Sequence, residues 1–206
     1  MNRIPVLGSR FAGLLSLVLV LCGASAASAA EKNGSLTAAI HSIMPDQLQS
    51  HVNVLADDTT AGREAGTPGG HAAAEYLAER LGDLGLTAGG SDGGFYQRFG
   101  AGYRNVLAQL KGRDPSLSQE TVILCAHYDH IGRGSKKTSL GRIGEIHNGA
   151  DDNASGTSAI LELAEAFCML PEPPRRSVLF VCWDAEEKGL LGSNHWAANP
   201  TVPPGR

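Results

Sequence analysis

A chain of 206 residues with 42% hydrophobic and 18% charged residues is long enough to bury a core, and this composition excludes a disordered polymer. A net charge of −4 gives no basis for binding nucleic acid or an anionic membrane surface. The 26 glycines imply many turns.

Residues 1–30 read as an export leader. Arg3 and Arg10 make a positive start, Phe11 to Leu21 is an uncharged apolar run, and Ala27-Ser28-Ala29 fits an A-x-A cleavage pattern. The apolar run is too short to span a bilayer. A lipid anchor through Cys22 is disfavoured by Leu21, where a small residue is wanted. The expected domain is therefore residues 31–206, exported to a periplasmic or extracellular space, with no transmembrane segment after cleavage. Three cysteines remain there, Cys125, Cys168 and Cys182, an odd number that gives no disulfide framework. Cys125 and Cys182 sit in apolar runs and read as small hydrophobes.

In chain order, Leu36, Ile40 and Ile43, then Leu48, Val52 and Leu55, hold a helical period interrupted at Pro45. The glycine-rich loop from Asp58 to Gly70 follows, and Arg63 in it reads as a surface ion pair or a substrate contact. Thr67 suits an N-cap and Pro68 the first position of a helix with Ala73, Tyr76, Leu77, Leu81 and Leu84 on one face and Gly85 just past its end. Residues 87–102 read as irregular, and Val106 to Leu110 as a short strand. Thr121 to Ala126 is a continuous apolar run, expected of a strand buried on both faces. Ile131 to His147 is a polar excursion of a length that is usually functional or mobile. A helix opens at Ser155 with Ile160, Leu163, Ala164 and Phe167 inward and ends before Pro171. Ser177 to Trp183 is a second buried strand, and Leu190 to Ala198 a short helix. Strand, helix, strand implies a crossover in an α/β sheet.

The chemistry gathers where such sheets place it, past the carboxyl ends of the strands. His127 and Asp129 follow one strand, and Asp184, Glu186 and Glu187 follow the next. Asp151 and Asp152 open the helix between them. Each group alone has an ordinary explanation: a surface turn, a cap favoured by the helix dipole, a solvated loop. Together they offer imidazole and carboxylate donors suited to zinc and its neighbours. Asp151 reads as a carboxylate bridging two ions, with a neighbouring Glu as the base that takes a proton from water. An Asp two residues after a ligand His is placed to orient the imidazole.

Four stretches then amount to a family pattern: Gly62-Arg63 through Gly69, Ala126-His127-Tyr128-Asp129-His130, Asn148 through Gly156, and Asp184-Ala185-Glu186-Glu187 with Gly189 to Ser193. The chain closely resembles the M28 family of two-zinc aminopeptidases. The resemblance implies a three-layer α/β/α fold with a mostly parallel mixed sheet, of the zinc-peptidase, phosphorylase/hydrolase-like kind. It implies two Zn2+ ions, with His127 on one, Glu187 on the other and Asp151 bridging. Glu186 would be the general base and Asp129 the partner of His127. The peptide bond after the bridging residue, Asp151–Asp152, would be cis. His130 and His147 receive no ligand role. The expected substrate is a peptide with a free N-terminus. Same-fold carboxypeptidase or glutaminyl cyclase activity, or a non-catalytic binding role, are the alternatives. The family pattern has two further ligands, an Asp on the next strand and a later His, and the chain is expected to be the N-terminal portion of a longer enzyme. As this portion alone it is expected to bind zinc weakly and to have little activity.

Overall fold

The helical spacing that begins at Leu36 is cut by Pro45, which lacks the N–H a continuing helix needs. In the computed structural model it forms α1 (Leu36–Ser42) and α2 (Pro45–Leu55), with Pro45 taken up at the start of the second. The structure describes residues 35–138 and 142–203, all within one unit, Lys32–Arg206. The leader expected over residues 1–30 lies outside the described residues. No described helix is long and apolar enough to cross a membrane.

The third helix starts as its sequence signal indicates. Thr67 caps α3 (Pro68–Asp83) by accepting from the Gly70 N–H, and Pro68 occupies the first turn. Its inward stripe, Ala73, Ala74, Leu77, Ala78 and Leu81, is buried. Three strands follow: β1 (Thr87–Ala88), β2 (Tyr96–Phe99) and β3 (Tyr103–Leu110). β1 and β2 fall in the stretch expected to be irregular. They are too short to carry a legible alternation, and their pairing with β3 makes them strands.

β4 (Thr121–His127), α4 (Ser155–Cys168) and β5 (Ser177–Trp183) make the crossover. The order across the sheet is β1-β3-β5-β4, with β2 also on β3. The sheet is mixed, as expected. Among the described strands β4–β5 is the parallel pair, and β3 runs antiparallel to β1, β2 and β5. Period-two alternation divides the apolar residues between its faces. Val106, Ala108, Val178, Phe180 and Cys182 pack with Leu77, Leu81, Leu161 and Ala164 in one core. Leu107, Leu179 and Val181 pack on the other side with Val202, Trp183 and Trp196, the last carried by α5 (Leu191–Ala198).

β4 departs from expectation. It pairs with β5 on one side and has no described strand on the other, so Val122 is 45% exposed and Ile123 38%. A continuous apolar run specifies a strand but not whether both of its faces are covered. The two cysteines thereby separate: Cys125 on β4 is exposed, while Cys182 on β5 is fully buried and its thiol is pushed up to about 12 by burial, with Cys125 adding to the effect. Alkylation at pH 8 under native conditions, read by peptide mass spectrometry, is expected to modify Cys125 and spare Cys182. Equal labelling of both would contradict the burial of β5.

Candidate metal centre

Parallel pairing of β4 with β5 ends both strands at the same level, with His127 opposite Trp183. One further bond, from the Tyr128 N–H to the Trp183 carbonyl at 3.0 Å, extends the match past the strand ends. Asp129 and the segment Asp184-Ala185-Glu186-Glu187 are thus brought together. Asp129 is buried, and its carboxylate accepts from the Glu186 N–H (3.0 Å) and the Glu187 N–H (3.3 Å). The reversal that presents both amides is made at Ala185, a non-glycine residue with φ of +55°. Asp129 therefore holds the glutamate pair by its backbone and leaves both side chains free to reach the rim.

The same residue steadies His127. The imidazole Nδ1 lies 3.2 Å from the Asp129 carbonyl and 3.7 Å from its Oδ1. Burial of the ring lowers the pKa of His127, but the bonds and charge of Asp129, with the Glu186 charge, outweigh it and leave a net rise. The Thr157 hydroxyl on α4 donates to the His127 carbonyl at 2.7 Å, which fixes the start of that helix to the end of β4.

Asn148 to Ala154 carries the aspartates between these strand ends. Asp152 and Asn153 have non-helical backbone angles (φ −113°, ψ 96° and φ −134°, ψ 43°), so the chain kinks before α4 begins. The kink turns Asp152 toward His127: its Oδ1 is 3.1 Å from His127 Nε2. Asp152 also joins His130 and Glu187 in a group whose ligand atoms all lie within 4.8 Å of one another. Asp151, expected to bridge, is outside that group and Asp152 is inside it, both aspartates being exposed to solvent. The cis peptide is at Asp152–Asn153 rather than Asp151–Asp152. The sequence presents two identical carboxylates, and which one faces His127 is decided by backbone angles one residue apart.

Glu186 is within 3.9 Å of His127 Nε2 and outside the three-residue group. His130 is the residue sequence reasoning passed over. Strand alternation puts positions 127 and 129 on one face and 130 on the other, but β4 ends at His127. The chain then runs beside Glu64 and is pinned through the His130 N–H to the Arg63 carbonyl at 3.2 Å. That change of direction carries the His130 ring to Glu187, Nδ1 to Oε1 at 2.7 Å.

Arg63 reverses its expectation. It is fully buried, neither on the surface nor in contact with a substrate space. Its Nε donates to the Tyr128 carbonyl (2.8 Å), Nη1 to those of Leu55 (2.7 Å) and Asn148 (2.5 Å), and Nη2 to that of Gly149 (2.9 Å). Burial lowers its pKa to about 10 against the pull of Asp129 and Asp152, so the guanidinium is charged at neutral pH. Gly62 beside it has φ of +75°, and a Cβ there would meet the Gly132 and His147 carbonyls at 2.5 and 2.6 Å. The two ends of the 131–147 excursion close on that glycine.

Three segments thus supply imidazole nitrogen and carboxylate oxygen at spacings a divalent cation fits, the donor chemistry of zinc sites. The profile of peptidase family M28 matches residues 105–205, the span that carries every one of these donors. Residues 105–205 belong to peptidase family M28. Leupeptin-inactivating enzyme 1 of Streptomyces exfoliatus is 28% identical over 150 residues, 73% of this chain and 30% of that enzyme. Two solved structures share the fold. The LapA aminopeptidase of Legionella pneumophila superposes with a TM-score of 0.59 at 20% identity, over 81% of this chain and 43% of that one. Glutaminyl cyclase of Bacteroides thetaiotaomicron does so with a TM-score of 0.54 at 24% identity, over 77% and 57%. The chain therefore spans less than two thirds of each of these proteins.

Removing the guanidinium leaves the Tyr128 and Asn148 carbonyls without a donor, each loss carrying about 1–3 kcal/mol, while those of Leu55 and Gly149 keep the Thr60 hydroxyl and the Ala154 N–H. Arg63→Met is expected to lower stability by about 3 kcal/mol or more, measured as the shift in urea midpoint. A change below about 1 kcal/mol would mean that these carbonyls find water instead.

Proposed function

We propose that the protein containing this chain is an exported zinc aminopeptidase that hydrolyses the first peptide bond of substrates with a free N-terminus. The observation that carries the reading is the position of Asp152, with His127 Nε2 on one side and the His130–Glu187 pair on the other. A carboxylate so placed suits a two-ion site, with His127 and Glu187 as donors to different ions. Zinc held there supplies a Lewis acid for the scissile carbonyl and lowers the pKa of a bound water.

The protein's own groups divide the remaining work. Glu187 is engaged with His130, whereas Glu186 is outside that pair and about one-third exposed. Glu186 is therefore the base: its carboxylate takes a proton from the attacking water and passes it to the leaving amine nitrogen. Asp129 keeps that carboxylate in reach through the Glu186 N–H and holds the His127 ring through Nδ1. The openness of Asp152, 64% exposed, leaves an approach for the substrate from solvent.

A cyclase acting on N-terminal glutamine is the second reading, supported by the shared fold of the Bacteroides enzyme. The two readings separate by assay, since an aminopeptidase releases p-nitroaniline from leucyl-p-nitroanilide and a cyclase leaves it intact. An export leader over residues 1–30 supports a periplasmic or extracellular site of action.

The test uses the product of the complete reading frame. Glu186→Gln is expected to reduce turnover of leucyl-p-nitroanilide by about 10²–10⁴-fold while zinc content is retained. Full activity in that variant would refute the role of Glu186. Asp152→Ala is expected to lose zinc and Asp151→Ala to keep it, measured by metal analysis after dialysis. The reverse pattern would restore Asp151 as the bridging residue.

A further inference from the structure

Resting on the reading of this rim as a divalent-metal site, we infer that His130 is itself a metal ligand, acting with Glu187 and sharing Asp152 with the His127 side. Three observations carry it. The ring is nearly buried, with 13% of the side chain exposed, and lies against Glu187 at 2.7 Å and in the same close group as Asp152. One imidazole nitrogen and two carboxylate oxygens are a donor set that zinc accepts, and they come from three different segments, which fixes their geometry. The backbone on both sides of the ring is built around it. The His130 N–H is held by the Arg63 carbonyl at 3.2 Å. On the other side Gly149, with φ of +56°, passes so close that a Cβ would lie 2.6 Å from His130 Cδ2 and 2.7 Å from Cγ. A glycine there leaves space for the ring and for the Asp152 carbonyl, which a Cβ would meet first, and Arg63 holds the Gly149 carbonyl in turn.

A plain hydrogen-bond partner for Glu187 needs none of this enclosure. It also leaves unexplained why the ring lies within 4.8 Å of the Asp152 carboxylate as well. With His130 included, the Glu187 side of the site has three donors from residues of this chain, and the His127 side has His127 and the shared Asp152.

The test is metal binding, read without reference to activity. His130→Asn keeps a side-chain N–H donor for Glu187 but is a poor ligand. Loss of an outer partner reduces metal affinity about 10–100-fold, so a ligand is expected to exceed that range. In the product of the complete reading frame, Zn2+ or Co2+ affinity is expected to fall by more than about 100-fold in His130→Asn. Zinc-edge X-ray absorption is expected to lose imidazole scattering. His71→Asn, altered at a half-buried histidine outside this group and bonded to the Gly102 carbonyl, is expected to match the parent. His130→Cys is expected to restore binding and to give a thiolate-to-cobalt absorption band with Co2+, a signature that a folding defect cannot produce. Parent-like affinity in His130→Asn, or cobalt binding to His130→Cys without that band, would reduce His130 to a partner of Glu187 and overturn this inference alone. A parent that binds no metal at saturating Zn2+ would overturn it together with the proposed function.

Discussion

The architecture of the rim depends on one buried guanidinium. Backbone carbonyls from the end of α2, the turn after β4 and the loop before α4 all end at Arg63, and among the described residues no carboxylate forms an ion pair with it. Loops cannot be buried unless their polar groups find partners, and segments with no ladder of their own have to borrow donors. Arg63 lends its N–H groups in a rigid planar fork that a lysine cannot reproduce. Asn148 adds a second tie, donating to the Ala56 carbonyl at 2.7 Å and to Asp58 Oδ1 at 2.8 Å. The loop that carries Asp152 is therefore held by Arg63 and Asn148.

Asp129 plays the opposite part, an acceptor that gathers donors. Between them, the buried cation and the buried anion divide the backbone of the site. Arg63 holds carbonyls on the β4 and aspartate side, and Asp129 holds amides on the glutamate side. Lys188 closes the ring by pairing with Glu64 at 2.9 Å, which joins the glutamate segment to the arginine loop. That last pair is partly exposed and contributes little by itself, about 0–1 kcal/mol. Its worth is geometric, since it fixes the two segments that Arg63 and Asp129 organise separately.

Much of this was legible in the sequence where local physics decides. The Thr67–Pro68 start, the break at Pro45 and the β4–α4–β5 crossover follow from caps, missing donors and hydrophobic period, and each lies where those signals put it. The convergence of His127, Asp152 and Glu187 at strand ends follows from topology. What was not legible is set by contacts across the chain. Arg63 looks like any loop arginine until the carbonyls it serves, up to 86 positions away, are in place. The exposure of β4 is a property of its neighbours, and its own apolar run is silent about them.

The choice between Asp151 and Asp152 is the sharpest case. Adjacent residues in a kinked turn point different ways, and a one-residue slip exchanges one carboxylate for the other, as it exchanges faces in a strand. The pattern Asp-Asp carries no information about which is which. The kink does, because α4 is registered independently: Thr157 binds the His127 carbonyl and Gly156 N–H binds Asn153 Oδ1 at 3.0 Å. Counting back from those two bonds places Asn153 against the first turn of the helix and Asp152 directly before it, facing His127. Asp151 lies one residue further back, where its own carbonyl accepts from Ser155 and its carboxylate is outside the group formed by His130, Asp152 and Glu187. The helix start, rather than the acidic pair, therefore determines which aspartate faces His127.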